Sequence, residues 1–84
     1  MTYAKDALDD AYRSEWAFVL AATVRVAGSL DVAEECVQDA YVAALVTWTD
    51  RGVPDNPGAW LTTTARRKAL DVLRRDKSLR RRLP

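Results

Sequence analysis

Histidine is absent from this chain of 84 residues, and cysteine occurs once, as Cys36. Without a second thiol no disulfide can close within the chain, and without imidazole the usual Cys/His zinc sites cannot be assembled. Acid/base chemistry would fall to carboxylates or lysine, and a nucleophilic Cys36 would lack the imidazole that normally activates it. Glycine is sparse: Gly28, Gly52 and Gly58 are scattered, so no phosphate-cradling loop is present. Adjacent carboxylates such as Glu34 and Glu35 diverge by about 100° on a helix, so no metal site is expected. These absences argue against an enzyme and against any cofactor. Long apolar runs are also missing. The longest, Trp16 to Ala22 and Tyr41 to Val46, fall far short of the roughly 20 residues a membrane span needs, and the acidic N-terminus does not resemble a signal peptide. Cys36 is expected to be a reduced small hydrophobe, and the cytoplasm is the expected setting.

What is present is charge, unevenly placed. The overall +1 conceals a division: four basic residues against ten acids up to Ala65, then nine basic residues against Asp71 and Asp76 from Arg66 onward. The first part carries minus six and the second plus seven. One end suits a polyanion and the other a basic partner.

Helical periodicity accounts for most of the chain. Leu8, Tyr12, Trp16, Val19, Leu20, Thr23 and Ala27 recur at threes and fours, the stripe of a helix that Gly28 would stop. Asp31 followed by Glu34 reads as a capping box, and Ala33, Val37, Ala40, Tyr41, Ala44 and Trp48 form the stripe of a second helix ending near Trp48. Thr49 to Asn56 holds Gly, Pro, Asp and Asn and predicts a structured loop. Asn56 as N-cap and Pro57 at the first helical position open a third helix with Leu61, Ala65, Ala69, Val72 and Leu73 inward, reaching Arg75 or beyond. The fold class is therefore all-α: a small bundle of three main helices, with room for an extra short N-terminal turn. Residues 1–76 form the expected domain, and 77–84 a basic tail, frayed or the start of a linker.

Two faces are left over. On the third helix Trp60, Thr63, Thr64, Arg67, Asp71 and Arg74 lie opposite the stripe. A Trp among arginines and threonines suits nucleic acid, the ring for stacking, the guanidinium groups for phosphate and the hydroxyls for backbone or base edges. The plainer alternative tucks Trp60 under the loop as core. On the second helix Val32, Glu35, Gln38, Asp39, Val42 and Val46 fall outward. Valines interleaved with acids fit a basic, partly apolar protein partner better than water alone.

These residues also carry a family likeness. Asp31-Val-Ala-Glu-Glu-Cys-Val-Gln-Asp-Ala-Tyr41 resembles the D-x-A-E-[DE]-x-x-Q-[DE]-x-[FY] run of ECF-type (extracytoplasmic function) sigma factors of the bacterial sigma-70 family. Asn56-Pro-Gly-Ala-Trp-Leu61, Ala65-Arg66 and Ala69-Leu-Asp71 through Arg74-Arg75 resemble the W-L-x-x-x-A-R-N-x-A-x-D-x-L-R-R block that follows it. The wording Gly52 to Gly58 is similar to a subgroup of larger factors. The resemblance implies region 2 alone, the domain that docks on RNA polymerase and opens the promoter. The second DNA-binding domain, for the element near minus thirty-five, is absent from these residues. It implies that Glu34, Glu35, Gln38, Asp39 and Val42 contact the β′ clamp helices of core polymerase. It also implies that the loop and third helix hold the non-template strand of the element near minus ten, with Asp55, Asn56, Trp60, Thr63, Thr64, Arg66, Arg67, Lys68, Arg74 and Arg75 as nucleic-acid candidates and a base flipped into a pocket. An anti-sigma protein or the factor's own further C-terminal part are the other partners it allows; no membrane is expected. Arg67-Lys68 stands where the family commonly has Asn after Ala-Arg, which exchanges a base-edge contact for a phosphate contact and leaves promoter preference open. The rival reading is a non-enzymatic helical interaction module whose basic helix binds RNA, an acidic protein or an anionic membrane surface. Trp60 among the arginines argues against the membrane form, which separates apolar from basic residues.

Overall fold

The computed structural model describes residues 3–82. Three helices occupy nearly all of them: α1 (Tyr3–Ala27), α2 (Leu30–Arg51) and α3 (Pro57–Arg82), each packed on the other two. The all-α bundle expected from periodicity is what the chain forms. Its helix ends differ from expectation in four places. α1 begins at Tyr3, so its N-terminal part is continuous helix in place of a separate short turn. α2 is capped by Ser29, two residues before Asp31: Ser29 is extended (φ −146°, ψ 131°) and its hydroxyl accepts from the Val32 N–H at 3.4 Å. α2 ends at Arg51, three residues past Trp48. α3 runs unbroken to Arg82, so residues 77–82 of the expected tail continue the helix; Leu83 and Pro84 of that tail, like Met1 and Thr2 of the expected domain, lie outside the described residues.

The stops are glycines held at positive φ. Gly28 (φ 72°) donates to the Val24 carbonyl at 2.8 Å, and Gly52 (φ 98°) to that of Trp48 at 2.9 Å. A side chain at either φ would be strained. Asn56 caps α3 as expected: its Oδ1 accepts from the Ala59 N–H at 3.1 Å and its carbonyl from that of Trp60 at 3.1 Å. The Glu15 carboxylate of α1 stands against this same end, where a Cβ added to Gly58 would meet its Oε1 at 2.7 Å. A negative charge beside a helix N-terminus is favourable, so Glu15 helps seat α3.

The core is built on alanine. Ala4, Ala11, Ala33, Ala40, Ala44, Ala65 and Ala69 are all buried, letting the helices approach closely, while Val19, Val37, Trp48 and Leu61 fill the space between them. Full burial of each larger aliphatic contributes about 1.5–3 kcal/mol. Two residues assigned to the inward stripes lie outward instead, Tyr12 at 53% and Leu73 at 40% exposed. Tyr12 keeps its ring in a cluster, 4.8 Å from Trp16 and 5.5 Å from Tyr41 between centroids. That cluster joins α1 to α2, reinforced by the Tyr41 hydroxyl, which donates to the Ala11 carbonyl at 3.3 Å.

Candidate nucleic-acid and protein-docking faces

The five-residue turn 52–56 ends at the Asn56 cap, and the first three turns of α3 follow at once. Together they form a shallow, open pocket of about 330 Å³ lined by Pro54, Asn56, Ala59, Trp60, Thr63, Thr64 and Arg67. Five residues assigned to nucleic acid, Asn56, Trp60, Thr63, Thr64 and Arg67, thus meet in one concavity. The helical period places Trp60, Thr63, Thr64 and Arg67 on one side, and the cap fixes Asn56 beside them.

Trp60 lies between core and surface. Its ring packs edge-on against Trp48, centroids 5.4 Å apart at 70°, and belongs to the margin of the core; it is half-buried and still forms a wall of the pocket. Such a ring is held rigidly yet offers apolar surface to a base. The Trp48 indole N–H beneath it is buried with no hydrogen-bond partner, as is the Thr62 hydroxyl. Trp48 therefore stays for its packing.

The remaining nucleic-acid candidates divide. Arg74 lies two turns beyond Arg67 on the same side and holds an exposed ion pair with Asp71 at 3.5 Å. A pair this exposed contributes little and exchanges readily for another anion. Asp55 is exposed in the turn and does not line the pocket. Lys68 and Arg75 turn toward α2, where they line a groove of about 240 Å³ with Val32, Glu35, Cys36, Asp39, Asp71 and Val72. Arg66 is exposed about 120° around the helix from Trp60, away from the pocket. Wheel projection over the whole basic segment could have separated these groups; composition alone does not.

On α2, Glu35, Asp39 and Val42 are exposed on one face with Val46, and Gln38 is exposed beside them. Val42 and Val46 are 64% and 67% exposed, the apolar part of an otherwise acidic surface. Glu34 is half-buried at the flank, as is Val32 on the side facing α3. Sequence reading missed exposed Leu45, which a wheel places next to Gln38. Cys36 is buried at the base of the groove. Burial, then Asp39 and Glu35, push its thiol up, with Lys68 opposing them. It is held protonated and poorly nucleophilic. No group of three or more Cys, Asp or Glu residues among the described residues could hold a metal ion, and no described helix is long and apolar enough to cross a membrane.

The chain matches the family described as Sigma-70 region 2 over residues 11–79. An uncharacterized protein of Rhizobium meliloti (strain 1021) is 39% identical over 56 residues, which is 67% of this chain and 13% of that protein. The chain thus corresponds to a small part of that relative's length. No solved structure matches.

Proposed function

Because this chain belongs to the sigma-70 region 2 family, whose general role is to bind RNA polymerase and take part in promoter melting, we propose that it acts in transcription initiation as the region 2 domain of an ECF-type sigma factor. In this reading the α2 face of Glu35, Gln38, Asp39 and Val42, flanked by Glu34, docks on the β′ clamp helices of core polymerase. The turn before α3 and the Trp60 face then hold the non-template strand of the element near minus ten. Residues 1–76 form the working domain, set in the cytoplasm, and the basic end leads toward whatever follows it; an anti-sigma protein or a C-terminal part of the factor would restrain it. The observation that carries the reading is the meeting of Asn56, Trp60, Thr63, Thr64 and Arg67 in one open concavity at the rim of the core.

The energetics are adequate. Stacking one base on an aromatic surface contributes about 1–3 kcal/mol, comparable to the mean of about 1.4 kcal/mol for a DNA stacking step. Capturing one unstacked base therefore offsets the opening of one step without ATP, and docking supplies the position. Pull-down with core polymerase, or with isolated β′ clamp helices, tests the docking half. The wild-type chain is expected to bind, and Glu35→Arg with Asp39→Arg to lose at least about tenfold in affinity, as reversing two charges at a complementary interface should. Equal retention of both proteins would remove α2 as the docking face.

A further inference from the structure

The groove between α2 and α3 holds charges of both signs that the chain leaves unjoined. Glu35 and Asp39 line it from α2 and Lys68 and Arg75 from α3, around a space of about 240 Å³ with the buried Cys36 at its base. The two helices run antiparallel, Trp48 beside Trp60 at one end and Val32 with Val72 at the other, which brings Asp39 near the level of Lys68 and Glu35 near that of Arg75. Besides burial, the Cys36 thiol feels Asp39 and Glu35 from one wall and Lys68 from the other, so both walls act on the same space. Ion pairs form elsewhere, between Lys5 and Asp9 and between Arg74 and Asp71, and none crosses the groove among the described residues. Asp71, the remaining carboxylate of the lining, is thus taken by Arg74 at 3.5 Å. Four charges face one another across a gap that has room for a partner's side chains.

Glu35 and Asp39 belong both to this groove and to the exposed α2 face, so the two surfaces are continuous. A uniformly basic partner would gain at Glu35 and Asp39 and be repelled by Lys68 and Arg75. A helix whose exposed positions carry both acids and bases, as those flanking a coiled-coil seam do, gains at both walls. We infer that the docking surface for the clamp helices crosses this groove, with Lys68 and Arg75 taking acidic side chains of the partner whose basic side chains meet Glu35 and Asp39. The inference rests on the docking reading above and moves Lys68 and Arg75 from the nucleic-acid residues to the polymerase side.

The direction of one change in affinity tests it. Lys68→Glu with Arg75→Glu makes the chain more acidic, so a docking face that uses only its acids would bind a basic partner more tightly. A groove of two signs predicts the reverse. Titrated with isolated β′ clamp helices in the absence of DNA, this variant is expected to bind at least about tenfold more weakly than wild type, and Lys68→Gln with Arg75→Gln about threefold more weakly. Lys77→Glu with Arg80→Glu changes the charge equally at exposed positions outside the groove and is expected to bind no more weakly than wild type. Circular dichroism of each variant alone verifies that the bundle is retained, and the glutamine pair repeats the test without added charge. Equal or tighter binding by the Lys68→Glu, Arg75→Glu variant, or an equal loss in the Lys77→Glu, Arg80→Glu control, overturns the inference and leaves the α2 face standing. Failure of wild type to bind overturns the docking reading and this inference with it. A second measurement checks the reassignment: with the chain held on core polymerase at saturation, the glutamine pair should leave the salt dependence for a single-stranded oligonucleotide unchanged. A slope shallower by about 1.4 would return both residues to the DNA.

Discussion

Tyr41 shows how much one side chain decides in a core made largely of alanine. Its ring stands against Trp16 and Tyr12, and its hydroxyl donates to the Ala11 carbonyl, so it fastens α1 to α2 midway along both. Burial first, then the Glu15 and Tyr12 charges, push the Tyr41 phenol up to about 12 from its ordinary value of 10.0. A folded-state value above the unfolded one means that the native state holds the proton more tightly. The associated stability is complete below pH 10 and is lost as pH rises through 12. Wild type should therefore lose about 1–2 kcal/mol across that window. Tyr41→Phe should be less stable at neutral pH, lacking the hydroxyl's bond, yet show a flatter decline above pH 10. Urea unfolding at pH 7, 10 and 11.5 measures both; parallel declines for the two proteins would assign the alkaline loss to other groups. The sequence pointed to Tyr41 as core through its place in the α2 stripe. Its bond to Ala11 was not legible, because it joins residues thirty apart and depends on which turn of α1 lies opposite.

At the scale of the helices, the large apolar residues set the number and order of elements, and small residues set how they meet. The α2 stripe from Ala33 to Trp48 and the α3 stripe from Leu61 to Ala69 are buried as their spacing requires. On α1 the same rule placed Tyr12 inward, because alanine adds little to a hydrophobic pattern. In the folded chain Ala4 and Ala11 are buried and Tyr12 lies largely outside. The α2 cap was misread for a related reason: Asp31 and Glu34 have the capping-box spacing, and Leu30 between Ser29 and Asp31 hides that the helix has already begun. The two caps are separable by mutation. Ser29→Ala removes the acceptor for the Val32 N–H and should cost about 1 kcal/mol, lowering Tm by about 4–8 °C in a domain of this size. Asp31→Ala removes only a charge from the first turn, and its effect should be the smaller. Thermal unfolding by circular dichroism compares them, and a larger loss for Asp31→Ala would restore the capping box.

For the whole molecule the charge division becomes a matter of direction. Minus six before Arg66 and plus seven after it describe the chain, but a partner meets faces. Lys68 and Arg75 look across a groove toward Glu35 and Asp39, so part of the positive charge is spent on the acidic side of the protein's own surface. In the proposed reading a different set faces the DNA. Trp60, Arg67, Arg74 and Arg81 are spaced by sevens on α3, and because that helix continues to Arg82 they form one stripe drifting about 20° per step, each about 10.5 Å beyond the last. Arg80, next to Arg81, lies about 100° away from it. A strand anchored at the Trp60 pocket and running along α3 would meet Arg67, Arg74 and Arg81 in turn. Each phosphate so neutralised on a single strand contributes about 0.7 to the slope of log affinity against log salt. The double variant Arg74→Gln with Arg81→Gln, bound to core polymerase, should therefore show a slope shallower by about 1.4 toward a single-stranded promoter oligonucleotide. Arg74→Gln with Arg80→Gln removes the same charge and should recover only about half of that change. Binding measured from 50 to 300 mM salt, a range of about sixfold, resolves the difference. Equal slopes for the two double variants would mean that the end of α3 acts through its amount of charge alone, and that the strand does not follow the stripe.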